Sequence, residues 1–154
     1  MFEILHFNWW QISPITIATL TVEANQLKIG NKENSFRKVL IDKTQEVQTD
    51  LFSKGGLEQV AKAVKVIEDL IGQIPNVTLV NLIEQILQKT GIIQSILNSD
   101  QKAASLDMVT SFFDFIKEET HRKPSLDLKE LVEIFRLMKR EDIRLPLPIT
   151  TGSD

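Results

Sequence analysis

Residues 57–75 read Leu57-Glu58-Gln59-Val60-Ala61-Lys62-Ala63-Val64-Lys65-Val66-Ile67-Glu68-Asp69-Leu70-Ile71-Gly72-Gln73-Ile74-Pro75, and this stretch decides the fold class. Leu57, Val60, Ala61, Val64, Ile67, Leu70, Ile71 and Ile74 recur at steps of three and four, which brings them to one side of a helix. Lys62, Lys65, Glu68 and Asp69 take the wet side. Gly55-Gly56 precedes the stripe, and Pro75, which cannot continue a helix, stops it.

The same spacing returns downstream. Thr78 can cap a helix carrying Leu79, Leu82, Ile83, Ile86 and Leu87, and Gly91 stands where a left-handed residue closes it. A short turn, Ile92 to Leu97, follows. Ser99 and Asp100 offer caps for a long helix through Leu106, Val109, Phe112, Phe113 and Ile116. His121-Arg122-Lys123, before Pro124, complement its dipole. Asp127 and Glu130, three apart, come close to a capping box and open a last helix through Leu131, Val132, Phe135 and Met138, ending by Asp142.

Upstream, a first helix runs from about Phe2 to Phe7, Asn8 to Pro14 is a break, and a second helix passes through Ile17, Leu20, Ala24 and Leu27 to near Gly30. Pro14 suits the first turn of that second helix. Thr44 to Lys54 has no clear period and reads as a weak helix or a loop. No stretch alternates apolar with polar residues as a strand would. The expectation is an all-α, irregular body of about six to seven helices over residues 1–143. Residues 144–154 then form an extended or disordered tail that reads as a cut made in a longer chain.

Composition narrows the functional classes. The 154 residues are 42% hydrophobic and 25% charged, enough apolar surface for an ordinary globular body and too much for a disordered one. The net charge of −3 argues against a freestanding, tight nucleic-acid binder, so any DNA contact is local and weak. Without cysteine there are no disulfides or thiolate metal sites. The start, Met1-Phe2-Glu3-Ile4, carries an acid where a signal peptide needs a base, and no apolar run nears the ~20 residues of a membrane span. A cytoplasmic location is the default expectation, with no membrane partner.

No catalytic constellation emerges. Phosphate loops need closely spaced glycines followed by Lys and Ser or Thr; Lys54 before Gly55-Gly56 does not make one. His6 and His121, the only histidines, have no metal-ligand spacing, so no metal, cofactor or catalytic residue is assigned. Glu118-Glu119 and Glu141-Asp142 are neighbours that point about 100° apart on a helix, unlike a general acid and base facing one substrate. Trp9 and Trp10 have faces that suit a base, but two adjacent rings on a short connector do not face one base together, and packing is the simpler reading. A helical protein-interaction module and a small independent enzyme are the competing readings. The first calls for an exposed apolar patch, the second for a deep pocket with convergent polar groups.

The phrase Phe2-Glu3-Ile4-Leu5-His6-Phe7-Asn8-Trp9-Trp10-Gln11-Ile12-Ser13-Pro14, followed by Ile17-Ala18-Thr19-Leu20, resembles the start of the 2B subdomain in UvrD-like superfamily 1 DNA helicases. Leu79 through Ile92 is similar to the helix that this family ends with Thr-Gly-Tyr, here Thr90-Gly91-Ile92, and Leu126 to Leu137 resembles its helix before the next motor motif. Asn31 to Gly56 matches nothing in the family. The resemblance implies a mostly helical, non-catalytic subdomain that contacts duplex DNA and works with motor domains of the same polypeptide, which bind ATP and Mg. It also implies a helix-turn-helix whose amides receive a DNA phosphate. That turn falls on Gln11, Ile12 and Ser13, with Thr16 in the next helix; Thr90 and Gly91 form the second candidate contact. Gln11 and Ser13 replace family glycines with side chains that restrict the backbone.

Overall fold

The computed structural model describes residues 1–30, 35–49 and 56–145, without the side chains of 27–30 and 46–49. Among the described residues the structure is all-α, with no strand. Eight helices follow one another: α1 (Phe2–Leu5), α2 (Pro14–Gly30), α3 (Phe36–Thr49), α4 (Leu57–Gln73), α5 (Leu79–Lys89), α6 (Ile92–Leu97), α7 (Lys102–Arg122) and α8 (Leu128–Arg140), with one 3-10 turn at Asn8–Trp10. The chain divides into two compact units. One comprises Met1–Ile71 with Lys89–Gly91, and the other Gly72–Gln88 with the chain from Ile92 onward.

In the first unit Leu5, Ile17, Leu20, Leu40, Val60, Ala63, Val64 and Ile67 form one buried cluster, flanked by Trp10, Ile12 and Phe36. Helix α4 supplies half of that cluster, adding Ala63 to Val60, Val64 and Ile67 of its apolar stripe. That stripe is narrower than the spacing suggested. Ala63 is fully buried, whereas Ile71 and Ile74 are 40% and 41% exposed, because the buried line through Val60, Val64, Ile67 and Leu70 leaves them at the helix edge.

Helix α3 takes up the start of the segment read as a weak helix or a loop and begins upstream of it, at Phe36. Phe36, Val39 and Leu40 provide one turn of apolar spacing, and the polar residues after Ile41 then obscure the period. The helix forms because Val39 and Leu40 are buried, tertiary packing outweighing weak local signal. Arg37 adds a fork across to α4: its Nε donates to Glu68 Oε1 at 2.7 Å and its Nη2 to Oε2 at 2.6 Å. Those hydrogen bonds hold the Glu68 carboxyl below its ordinary range, against a smaller opposing push from burial. Of the segment from Thr44 to Lys54, Thr44 to Thr49 is helical; the remainder lies outside the described residues.

In the second unit Leu79, Ile83, Ile116, Leu126 and Leu131 are buried together, with Phe112, Phe113, Phe115 and Phe135 packed against them. The Phe112 and Phe135 rings stack at 5.5 Å. Thr78 Oγ1 accepts the Asn81 amide at 3.3 Å, capping α5 as its sequence proposes. The capping box at α8 is complete: Asp127 Oδ1 accepts the Glu130 amide at 2.8 Å, and Glu130 Oε2 accepts the Asp127 amide at 3.3 Å. Ser99 and Asp100 do not cap α7. Gln101 precedes that helix without a side-chain cap, and Ser99 Oγ donates backwards to Ile96 O at 2.8 Å, closing the preceding turn. Residues 92–97, read as a turn, are the short helix α6. With α3, this brings the helices among the described residues to eight, in keeping with an all-α multi-helix body. The tail from Pro146 to Asp154 lies outside the described residues.

Candidate nucleic-acid interface

The segment between α1 and α2 winds tightly. The Phe7 amide donates to Ile4 O at 3.3 Å, the Trp10 amide to Phe7 O at 3.1 Å and the Gln11 amide to Asn8 O at 3.1 Å. Gln11 then takes φ 53° and ψ 33°, a left-handed conformation in which an L-residue's Cβ crowds its carbonyl, at a cost of about 1–2 kcal/mol. A side chain at Gln11 therefore does not keep the backbone out of this conformation, contrary to the restriction that its Cβ suggests. Steric preference is overridden because Trp10 and Ile12, on either side, are both packed against the buried cluster.

Past Gln11 the chain exposes donors. Ser13 O accepts the Ile17 amide at 3.2 Å as α2 begins, and Pro14, at the first position of that helix, has no N–H. Among the described residues the amides of Ile12, Ser13, Ile15 and Thr16 find no acceptor. They are the orphan donors of a helix start, placed where the positive end of the helix dipole adds to them.

The second candidate contact lies beside the first. Gly91 has φ +83°, the left-handed closure expected of it, and the carbonyl oxygen of Trp9 is 3.9 Å from where a Cβ on Gly91 would stand. Just before it, Lys89 Nζ holds Asp69 Oδ2 at 2.7 Å, fixing the end of α5 within the first unit.

The six candidate residues are not equivalent. Gln11 and Ser13 are exposed. Ile12 turns its side chain into the core and offers only its amide. Thr16 is half-buried, its hydroxyl set 2.6 Å from the position of a Cβ on Gly56, which accounts for a glycine there. Thr90 is only 9% exposed, and its side chain belongs to the interior.

Trp9 and Trp10 are half-buried, each with its Nε1 enclosed and without a hydrogen-bond partner. The ring that reaches solvent is Phe7, 46% exposed and stacked on Trp9 with centroids 4.4 Å apart and planes 16° apart. Helical periodicity does not single it out, because it sits in a turn. His6 is exposed, its Nδ1 lying 3.1 Å from Phe2 O.

Elsewhere, a groove of about 500 Å³ in the second unit is lined by Val77, Thr78, Ser125 and Asp127. Two of its polar side chains, Thr78 and Asp127, are already engaged as helix caps. Among the described residues no three His, Asp or Glu side chains gather as metal ligands, and no helix is long and apolar enough to cross a membrane. Set against known proteins, the chain matches no family, no curated protein and no solved structure.

Proposed function

We propose that this chain is the non-catalytic 2B accessory element of a UvrD-like superfamily 1 DNA helicase, contacting duplex DNA through the turn at Gln11–Ser13. The observation that carries this reading is the left-handed Gln11 leading into amides that have no acceptor among the described residues. A phosphate oxygen satisfies such donors without any cationic side chain. The nearby Gly91 turn supports it, because it gives a second backbone surface on the same side as Trp9.

The contact is weak and independent of base sequence, in keeping with a net charge of −3. Its role is positional. The element moves relative to motor domains of the same polypeptide, which bind ATP and Mg, and so opens or closes the DNA path in a cytoplasmic, repair-type helicase. The family assignment rests on the Phe2–Leu20 and Leu79–Ile92 phrases, and reading the coding sequence on both sides for a Walker loop upstream and a further motor motif downstream tests it directly.

Duplex binding by the chain itself tests the contact. Titration of a labelled duplex at rising salt is expected to give weak affinity that declines with a log–log slope no steeper than about −2. Absent or salt-insensitive binding would count against the reading. It would favour a protein-interaction module instead, for which Ile15 and Val22, 77% and 55% exposed on α2, supply apolar surface.

A further inference from the structure

We propose that Phe7, backed by Trp9, is a stacking platform for an unpaired nucleobase at a DNA end. The inference rests on the duplex-contact reading and adds to it a base-binding surface. Phe7 and Trp9 lie nearly parallel, so indole covers one face of Phe7 while the residue as a whole stays 46% exposed. The ring is also held in place before any ligand arrives. Its residue donates its amide to Ile4 O and accepts the Trp10 amide, so the backbone on both sides is hydrogen-bonded. A pre-ordered ring loses little entropy when a base settles on it.

The neighbourhood selects the occupant. Phe2, the exposed ring of α1, is engaged edge-on by His6 and Phe36, with centroids at 4.6 and 5.7 Å, so it does not extend the flat surface. Phe7 thus offers the area of one planar ring rather than a broad apolar patch. Five residues later in the chain, at Ile12, the acceptor-free amides begin, and a nucleotide pairs a flat base with an anionic phosphate. Base stacking tolerates any sequence, which suits a contact without base readout.

The test compares two duplexes, each closed at one end by a hairpin. At the other end one carries a single unpaired adenosine and the second an abasic sugar-phosphate of equal charge. The chain is expected to bind the adenosine end at least about fivefold more tightly. Phe7→Leu, which keeps apolar bulk but loses the π face, should abolish that preference and leave the abasic affinity unchanged; Phe7→Trp should retain it. Circular dichroism confirms that both variants fold. Equal, measurable affinities of the unmodified chain for the two ends overturn the stacking proposal alone, as does a preference that survives in Phe7→Leu. Loss of salt-sensitive binding to both duplexes overturns the duplex-contact reading and this proposal with it. A Phe7→Leu variant that weakens both duplexes equally assigns the ring to packing and also overturns the proposal.

Discussion

The carbonyl oxygen of Trp9 lies 3.9 Å from the point that a Cβ on Gly91 would occupy, an ordinary van der Waals separation. Glycine is therefore required at this position by backbone conformation, φ +83°, and not by crowding. Gly91→Ala is expected to cost about 1 kcal/mol, and Gly91→Asn less, since Asn tolerates the left-handed region. Urea midpoints measure both. If the Asn variant is as unstable as the Ala variant, the cost comes from contact with Trp9 instead.

Gln11 presents the opposite case, a side chain where glycine would be easier. Gln11→Gly removes a left-handed cost of about 1–2 kcal/mol and adds back up to about 1 kcal/mol of unfolded-chain entropy. The expected result is a net gain of about 0.5 kcal/mol, with duplex affinity equal to or above that of the parent, since the amides after it are unchanged. Thermal unfolding and the salt titration report the two effects separately. A destabilised Gln11→Gly variant would mean that the glutamine side chain holds the turn.

At Gly56 the constraint is steric. An added Cβ would stand 2.6 Å from Thr16 Oγ1 and 3.5 Å from its Cγ2, so the threonine has to shift. Gly56→Ala is expected to destabilise by about 1–2 kcal/mol, and Thr16→Ala in the same chain to recover much of the loss. Additive effects in the double-mutant cycle would sink this account. The same cycle indicates whether Thr16 is free to meet DNA, because a hydroxyl held against Gly56 contributes little to duplex binding.

What was readable in the sequence is what local chemistry sets. The α4 stripe, the Thr78 cap, the Asp127–Glu130 box and the Gly91 closure each depend on residues within a few positions of one another. Helix α3 is not readable, because its apolar signal is confined to Phe36, Val39 and Leu40 and its stability comes from burial in the core of the first unit. Nor could spacing assign Ser99, whose hydroxyl can serve either the helix after it or the turn before it. The candidate site divides the same way. Gln11 to Ser13 and Thr90–Gly91 are two separate motifs in the sequence, and the approach of Gly91 to Trp9 arises only from tertiary packing. The Phe7 ring follows the same logic: its exposure depends on Trp9 covering one face, a contact made across a turn with no period.

Acid is expected to weaken the fold through two surface carboxylates. Arg37 donates twice to Glu68, while Lys123 and the Asp127 amide both donate to Glu130, holding each carboxyl below its ordinary value of 4.5. Between the lowered folded value and the unfolded one the unfolded chain binds more protons, so stability rises with pH across that window. The contribution is complete above the unfolded value and disappears as pH falls through the folded one. Because both groups sit at the surface, water and salt keep the effect small. Urea midpoints should hold steady from about pH 8 to 6 and fall below about 4.5. Glu68→Gln should remove part of that fall. Glu130→Gln should remove another part while keeping the helix, since a glutamine oxygen still accepts the Asp127 amide. High salt should shrink both differences. If both variants follow the parent's acid profile point for point, these ion pairs do not set it, and protonation of other carboxylates must.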